Sequence, residues 1–231
     1  MNIIGIIPAR GGSKGIPKKN IKLLGNKPLI QYTSDVALES RLLSKVILSS
    51  DDNEIIKVAK ELKIEVPFKR PKELAKDNTP TLEAVKHVLD FYKKQNIFFD
   101  AVCLLQVTSP FRTLELLETA LNKFIESKTD SLVSVQEVPH EYNPHWVFEE
   151  NLSGNLTIST GEKIIIPRRQ ELPKAYHRDG MIYITKTSVI EKENSLLGNS
   201  IAYVISSKEN YVNIDTPKDW EKAEEILKNK F

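Results

Sequence analysis

The chain has 231 residues, enough for one substantial hydrophobic core, and its 40% apolar and 28% charged residues are typical of a globular protein. The formal net charge of +2 argues against a general nucleic-acid binder, and no apolar run is long enough to span a membrane. The single cysteine, Cys103, lies in an apolar run and is expected to be a buried, inert thiol. With no disulfides and a strand in place of a signal peptide at the N-terminus, the chain is predicted to be cytoplasmic.

Short apolar runs alternate with amphipathic stretches over the first 138 residues, which is the pattern of a parallel sheet covered by helices. The predicted strands are residues 3–7, 45–48, 64–66, 101–106 and 131–135, and the predicted helices are 29–38, 55–62, 81–92 and 114–124. Proline precedes three of these helices, at Pro28, Pro80 and Pro110, and Asp51, Asp52 and Asn53 offer caps for another. Ligands of such sheets bind at the carboxyl ends of the strands.

The alternation ends after Val138. Segment 139–148 is rich in proline and aromatic residues, and residues 139–179 are predicted to be an excursion from the core of a single domain. A loop that carries Trp146 and Phe148 is expected to cover another surface. Strands are predicted again at 181–184 and 201–206, and a helix at 218–227.

The most informative segment is the loop that follows the first strand. Between Ala9 and Asn20 it contains three glycines and four cations, which are Gly11, Gly12, Gly15, Arg10, Lys14, Lys18 and Lys19. Glycines let backbone N–H groups turn toward a ligand, and the cations favour a strongly anionic one, most plausibly a polyphosphate. The alternative is a solvated basic turn. The spacing matches neither a Walker loop nor a dinucleotide fingerprint, because Pro17 interrupts any early helix.

This loop resembles the signature of the sugar-activating cytidylyltransferases, specifically the acylneuraminate cytidylyltransferase (CMP-sialic acid synthetase) family. Members of that family open with an apolar strand followed by A-R-x-x-S-K-G-x-P-x-K-N. This chain has every fixed residue of the pattern, namely Ala9, Arg10, Ser13, Lys14, Gly15, Pro17, Lys19 and Asn20. The resemblance implies an α/β fold, a three-layer and mostly parallel sheet of the Rossmann-like nucleotidyltransferase type, with a dimerisation arm at 139–179. It also implies a homodimer in which the arm completes the partner's sugar pocket.

Further segments match the same family and extend the implied nucleotide site. Arg70 and the hydroxyl residue Thr81 correspond to family positions in that site, although by themselves they also fit a surface cation and a helix start. The implied nucleotide-binding set is Ala9, Arg10, Gly11, Gly12, Ser13, Lys14, Lys19, Asn20, Arg70 and Thr81. Gln106, at the end of a buried strand, is implied to contact the sugar; the alternative is that it caps a neighbouring strand end. Arg112 is expected to be a structural ion-pair residue outside the core site.

A second group of implied sugar contacts lies near the end of the excursion. Adjacent arginines suit a carboxylate or phosphate because guanidinium makes paired, planar hydrogen bonds. The R-Q-x-L-P element of the family implies sugar contacts for Arg168, Arg169, Gln170 and Tyr176. Most members have Asn just before the following glycine, where this chain has Asp179 after His177 and Arg178.

The last motif combines Asn213 and Asp215 before the final helix. Alternation along a strand puts the two side chains on one face. Family members typically carry two aspartates here that hold Mg²⁺, so the resemblance implies a magnesium site at Asp215 and Asn213, with Asn213 replacing the first carboxylate. The alternative is that Asp215 only caps the helix beginning at Pro217.

The reaction implied by the resemblance transfers CMP from CTP to the anomeric hydroxyl of an acidic nine-carbon 2-keto sugar of the sialic acid type, and releases pyrophosphate. Arg10, Lys14 and Asp215 are the expected catalytic residues, with Mg²⁺ as cofactor and no evident general base. The nearest alternative is CTP- or GTP-dependent activation of legionaminate or pseudaminate. Octulosonate synthetases carry a different loop. An alternative of another class is a nucleotide-binding regulatory module without catalysis, which Asn213 favours.

Overall fold

A computed structural model describes residues 1–209 and 211–230. The described residues separate into two compact units. The first comprises Met1–Ser134 and the described residues from Asp179 onward, and the second comprises Val135–Arg178. The predicted excursion at 139–179 overlaps the second unit, and its role as a dimerisation arm stays a prediction.

The described residues contain ten strands and six α-helices. The strands are β1 (Ile3–Pro8), β2 (Leu23–Leu24), β3 (Lys27–Pro28), β4 (Lys45–Ser49), β5 (Ala101–Leu104), β6 (Ser131–Glu137), β7 (Phe148–Glu150), β8 (Leu156–Ile158), β9 (Tyr176–Lys186) and β10 (Ile201–Ile205). The helices are α1 (Leu29–Glu39), α2 (Asn53–Glu61), α3 (Thr81–Lys93), α4 (Leu114–Glu126), α5 (Thr187–Glu193) and α6 (Pro217–Lys230).

Six strands form the central sheet, in the order β10-β6-β9-β5-β1-β4. Strand β1 lies between β4 and β5 and is parallel to both, whereas β9 is antiparallel to β5. The four isoleucines of β1 are fully buried, as expected for a strand that is covered on both faces. The predicted α/β fold with a mostly parallel sheet is confirmed.

Helices cover both faces of this sheet and make three layers. Because side chains alternate along a strand, Ile3 and Ile7 pack on one face, in a core that includes buried residues of α1, α2, α4 and α6. Ile4 and Ile6 face the other side and pack with buried residues of α3 and α5. Cys103 is fully buried and unpaired, and burial raises the pKa of its thiol to about 12, which agrees with the expected inert cysteine.

Local sequence signals account for most of the helix starts. The Asp52 carboxylate accepts hydrogen bonds from the N–H groups of Glu54 and Ile55, at 2.7 and 3.1 Å, and caps α2 as predicted. Pro28 and Pro80 directly precede α1 and α3. Pro110 does not directly precede α4, because that helix begins after Thr113, whose hydroxyl accepts a hydrogen bond from a backbone N–H in the first turn.

Two strand predictions were wrong in detail. Residues 64–66 contribute a single bridge, Ile47 to Glu65, and no strand. Asn213 and Asp215, expected on one face of a strand, do not lie on a strand, since residues 211–216 form none; the Ile214 N–H donates to the Thr108 carbonyl at 2.8 Å. Helix α5 and the short pairs β2–β3 and β7–β8 were not predicted, because so few residues carry no clear periodicity. None of the helices in 1–209 and 211–230 combines the length and the apolar character that crossing a membrane requires.

The second unit has little apolar core of its own. Strands β7 and β8 pair as an antiparallel hairpin. Six large apolar residues of the unit are exposed, namely Tyr142, Phe148, Leu152, Leu156, Ile164 and Ile165. Trp146 is only half-buried, and its indole N–H donates to the Ile166 carbonyl at 2.8 Å. The expected aromatic surface therefore includes Phe148, while Trp146 is tied into the unit itself.

Candidate active site

A cavity of about 410 Å³ lies at the carboxyl ends of β1 and β5, where the sheet topology places ligands. Nine of the predicted site residues line it, namely Arg10, Ser13, Lys14, Lys19, Asn20, Arg70, Thr81, Gln106 and Asp215. Ala9, Gly11, Gly12 and Asn213 are not among the lining residues. Groups that are separated by up to about 200 positions in the sequence therefore meet in one place.

The glycine-rich loop is fixed by bonds to neighbouring backbone and side chains. The Ala9 N–H donates to the Ser49 carbonyl at 3.0 Å, which extends the β1–β4 pairing by one residue. The Gly11 N–H donates to the Asp51 carboxylate at 3.0 Å, and the Asn20 amide donates to the Arg10 carbonyl at 2.9 Å. The backbone that carries the cations of the loop is therefore held in place by hydrogen bonds.

Gly15 lies directly against the backbone of Asp215. A Cβ atom at residue 15 would lie 2.2 Å from the Asp215 carbonyl oxygen, a distance at which one backbone segment has to move. The absence of a side chain at this position brings the cationic loop and the Asp215 segment together.

Asp215 is held between Lys19 and Asn213. The Lys19 ammonium, whose side chain is 11% exposed, donates to Asp215 Oδ1 at 2.9 Å and to the Ile214 carbonyl at 2.7 Å. Asn213 donates through Nδ2 to Asp215 Oδ2 at 2.6 Å. A largely buried ammonium needs such partners, so this carboxylate also stabilises the charge of Lys19.

The alternative that Asp215 caps the last helix is wrong. Helix α6 is capped by Thr216 and Asp219 in a reciprocal arrangement, in which Asp219 Oδ2 accepts from the Thr216 N–H at 2.8 Å and the Thr216 hydroxyl accepts from the Asp219 N–H at 3.3 Å. The Asp215 N–H also donates to Asp219. The Asp215 side chain is consequently free of helix capping and faces the cavity.

Arg10 and Lys14 converge on one carboxylate that the sequence did not single out. Arg10 Nη2 lies 2.9 Å from Asp77 Oδ1, and Lys14 Nζ lies 2.6 Å from Asp77 Oδ2. The hydrogen bond from Lys14, together with the charges of Lys14 and Arg10, holds the pKa of Asp77 below its usual value. The three charged groups form a defined anion–cation cluster on the cavity wall.

Arg70 is not a surface cation. It is 5% exposed, its Nε donates to the Ser49 hydroxyl at 3.0 Å, and its other nitrogens donate to the carbonyls of Ser49 and Leu74. Burial lowers the pKa of the guanidinium, and the nearby charge of Asp51 opposes that shift. Thr81 is the first residue of α3 and lines the same cavity, so it is both a helix start and a wall residue.

Gln106 follows the carboxyl end of β5 and lines the cavity. The Thr108 hydroxyl donates to its side-chain oxygen at 3.5 Å, and Arg112 donates to its backbone carbonyl at 3.2 Å. Arg112 also donates to the Met181 carbonyl at 2.8 Å, and burial lowers the pKa of its guanidinium to about 10. Arg112 is thus structural, but its hydrogen bonds go to backbone carbonyls and to the Thr33 hydroxyl, and the predicted ion-pair partner is not found among the described residues.

A second polar group surrounds Gly180. The position of a Cβ at residue 180 is 3.5 Å from both the Gln106 side-chain oxygen and the Ser109 hydroxyl. Asp179 is 1% exposed, and its Oδ1 accepts from the Ser134 hydroxyl and from the Met181 N–H. Within the described residues its Oδ2 and the Ser109 hydroxyl are buried without hydrogen-bond partners. The sequence flagged Asp179 as unusual, but it gave no sign that the side chain is buried.

The other implied sugar contacts belong to the second unit. Arg168 Nη2 lies 2.5 Å from Glu171 Oε1, and Arg169 begins a short 3₁₀ helix that ends at Glu171. Arg168, Arg169 and Gln170 are exposed, and Tyr176 is half-buried at the start of β9. The guanidinium groups of both arginines are thus accessible from solvent.

The side-chain chemistry of Asp215 and Asn213 fits a magnesium site in which the protein supplies only some of the ligands. In 1–209 and 211–230 no cluster of three or more His, Cys, Asp or Glu residues could hold a metal by itself. Asp215 offers carboxylate oxygens, and the Asn213 side chain that donates to them carries an amide oxygen that becomes available if the amide turns over. Magnesium usually takes only one or two carboxylates and shares the rest of its ligands between waters and substrate phosphates.

The cation-lined cavity lies at the carboxyl edge of a doubly covered α/β sheet, the place where such sheets bind their ligands. The family model described as cytidylyltransferase matches residues 4–231. The chain therefore belongs to the cytidylyltransferase family, and the resemblance found in its first loop is confirmed.

Three relatives are similar over nearly the whole chain. A pseudaminic acid cytidylyltransferase of Campylobacter jejuni is 34% identical over 99% of this chain and 97% of its own length. A CMP-N,N'-diacetyllegionaminic acid synthase of Legionella pneumophila is 34% identical over 98% of this chain and 97% of its own length. An N-acylneuraminate cytidylyltransferase of Escherichia coli is 31% identical over 99% of this chain but 52% of its own length.

Solved structures show the same fold at low sequence identity. CMP:2-keto-3-deoxy-manno-octonic acid synthetase, solved in complex with CTP, matches with a TM-score of 0.74 at 17% identity and covers 100% of both chains. A glucose-1-phosphate thymidylyltransferase from Bacillus anthracis, solved with sucrose, matches with a TM-score of 0.65 at 14% identity, covering 98% of this chain and 96% of its own.

Proposed function

We propose that the protein transfers CMP from CTP to the anomeric hydroxyl of an acidic nine-carbon 2-keto sugar of the sialic acid type. The observation that carries this proposal is the convergence of Arg10, Lys14 and Lys19 on one cavity at the carboxyl ends of the sheet. The names of the three relatives support the same class of sugar acceptor.

In the proposed reaction the anomeric oxygen attacks the α-phosphorus of CTP. The bond between that phosphorus and the bridging α,β-oxygen breaks, pyrophosphate leaves, and the hydroxyl proton passes to solvent. Chemistry of this type depends on in-line positioning and charge neutralisation. Arg10 and Lys14 line the cavity with exposed cationic groups, so we assign them to the triphosphate and to the charge that develops on pyrophosphate.

The remaining groups have separate proposed roles. Lys19 and Asn20 are buried and form hydrogen bonds that hold the loop in place. We assign them, with Arg70 and Thr81, to positioning the nucleotide. Asp215 and Asn213 would hold Mg²⁺ together with the phosphates, and the ion would neutralise phosphate charge when it is bound. The proposed sugar contacts are Gln106 in the cavity and, on the second unit, Arg168, Arg169, Gln170 and Tyr176.

The identity of the sugar divides this proposal into three versions. Sialic acid, legionaminic acid and pseudaminic acid share a carboxylate beside the anomeric carbon, which adjacent arginines can recognise in the same way. The similar identities to a pseudaminate and a legionaminate enzyme, both 34%, favour activation of one of these two sugars as much as of sialic acid. Asp179, where most family members have asparagine, precedes Gly180, whose Cβ position lies 3.5 Å from the side-chain oxygen of the cavity residue Gln106.

A pyrophosphate-release assay with Mg²⁺ tests the proposal. CTP and GTP should each be combined with the three nonulosonic acids and with octulosonic acid. We expect release with CTP and one nonulosonic acid, and the product should carry CMP by mass. A cytoplasmic location also stays a prediction, which the lone buried cysteine supports. Binding of CTP without turnover on any sugar would instead indicate a regulatory module.

A further inference from the structure

Asp77 lies on the cavity wall and binds the two cations of the loop with its two carboxylate oxygens, as a phosphate group could. Each of its two oxygens takes one cation of the loop, Arg10 at 2.9 Å and Lys14 at 2.6 Å, and all three residues line the cavity. We propose that Asp77 is an internal competitor for these cations: it gives up Arg10 and Lys14 when the nucleotide binds and takes them back as pyrophosphate leaves. This inference rests on the proposed nucleotidyl transfer and assigns Asp77 a positioning role in it.

The segment that carries Asp77 does not need these ion pairs to hold its shape. The Thr79 N–H donates to the Lys76 carbonyl at 3.1 Å, and the Thr79 hydroxyl donates to the Glu73 carbonyl at 3.0 Å. Asp77 therefore sits in a turn closed by its own backbone, between the 3₁₀ helix Lys72–Ala75 and α3. A change of its side chain should leave the turn and the cavity wall in place.

The ion pairs are exposed enough to be exchanged. The side chains of Arg10, Asp77 and Lys14 are 36%, 45% and 80% exposed. Exposed pairs of this kind are weak, each corresponding to roughly a one- to fivefold change in an equilibrium constant. A triphosphate that brings several negative charges can displace one carboxylate, whereas two buried pairs would resist such exchange.

The exchange would act most strongly on product release. Pyrophosphate keeps the charge that Arg10 and Lys14 attract, so a cavity with unopposed cations would hold it after the transfer. Asp77 offers both cations another partner at hydrogen-bond distance, which lowers the affinity for pyrophosphate without touching the reacting atoms. The same competition weakens nucleotide binding, because the nucleotide has to displace Asp77 from both cations.

Calorimetric binding of inorganic pyrophosphate to the full chain tests this role directly. Asp77→Asn, which removes the charge, should bind pyrophosphate roughly three- to tenfold more tightly than the wild type. Asp77→Glu, which keeps the charge, should stay close to the wild type. Glu54→Gln is the matched control, because Glu54 pairs with Lys18 of the same loop at 2.6 Å and neither residue lines the cavity; it should change nothing.

Two further measurements distinguish competition by Asp77 for the cations from a merely structural role of this residue. In a Lys14→Ala background the effect of Asp77→Asn should shrink, since one of the two contested cations is gone. In the release assay Asp77→Asn should lower KM for CTP and strengthen inhibition by pyrophosphate, with no gain in kcat. If Asp77→Asn does not fold, Asp77→Ser serves the same measurements.

If the wild type binds pyrophosphate and folded Asp77→Asn binds it no more tightly, the proposed role of Asp77 is wrong. That result leaves the proposed function untouched. A wild type that binds neither pyrophosphate nor CTP overturns this inference together with the proposed function. Because the binding measurement needs neither sugar nor turnover, the two failures are distinguishable.

Discussion

The first unit buries the isoleucines of β1 between two layers of helices, whereas the second unit leaves six large apolar residues exposed. The proposed nucleotide groups follow the same division, since those that line the cavity belong to the first unit. The second unit carries Arg168 and Arg169 on a surface with little core beneath it. The exposed apolar residues of the second unit fit a surface that another surface covers, whereas the cavity of the first unit is complete by itself.

The largest expected effect is at Asp215, in the cavity of the first unit. Asp215→Asn should reduce turnover by about two to three orders of magnitude, because the loss of one preorganised electrostatic partner has that effect in other sites. Asn213→Asp should keep turnover and lower the Mg²⁺ concentration needed for half-maximal rate. Titration of Mg²⁺ at saturating CTP and sugar measures both.

The control for Asp215 is the true helix cap. Asp219→Ala removes the capping arrangement at α6 and should lower the free energy of unfolding by about 1 kcal/mol while turnover is retained. If Asp215→Asn keeps wild-type turnover, the metal assignment is wrong.

Next in size is the pair of cavity cations. Arg10→Ala and Lys14→Ala should each reduce turnover by about two orders of magnitude, since each removes a cation that stabilises the negative charge developing on pyrophosphate. Lys18→Ala in the same loop, whose side chain pairs with Glu54 outside the cavity lining, should retain turnover. Steady-state kinetics at unchanged melting temperature checks all three. Near-normal rates for both cavity variants would remove the loop from the active site.

A smaller effect is expected at Gly15, where the loop touches the Asp215 backbone. Gly15→Ala places a Cβ 2.2 Å from a carbonyl oxygen and should cost about 1–3 kcal/mol in the free energy of unfolding, through overpacking. Gly12→Ala is the stability control, because a Cβ there meets nothing within 4 Å. Urea unfolding of the two variants gives the comparison. Equal midpoints would mean that the contact at Gly15 relaxes freely.

The sequence predicted the first unit well because its signals are local. Continuous apolar runs gave β1, β4 and β5, proline gave two helix starts, and Asp52 gave a cap. The ends of these strands also placed Arg10 and Gln106 at one edge of the sheet. The loop motif then located the cations, since their spacing along the chain is short.

Contacts that depend on distant parts of the chain could not be predicted. Nothing near Asp77 in the sequence indicates that it meets Arg10. The cap of α6 is different, because Thr216 and Asp219 are three residues apart, a local capping spacing that a sequence can reveal. In the second unit, strands β7 and β8 are three residues each, too short for a periodic signal. The exposed arginines there carry no local sign of their ligand.

The second unit is expected to make a homodimer. A surface with six exposed apolar residues is poorly tolerated on a monomer, so sedimentation at micromolar concentration should show a species of twice the 26.3 kDa chain mass. A single 26.3 kDa species would contradict this expectation and would leave the apolar surface without a partner of its own kind.

The smallest effect distinguishes two aromatic residues of that unit. Phe148 is 48% exposed, so Phe148→Ser should weaken the dimer by about tenfold while the melting of the monomer is unchanged. Trp146→Ser removes a half-buried ring whose N–H binds the Ile166 carbonyl, so it should destabilise the unit itself and weaken the dimer only through that loss. Dilution series by sedimentation, beside thermal melts, separate these outcomes. If Trp146→Ser stays fully dimeric and active while Phe148→Ser dissociates, the interface uses the exposed ring alone; if neither variant dissociates, the dimer is held by a different surface.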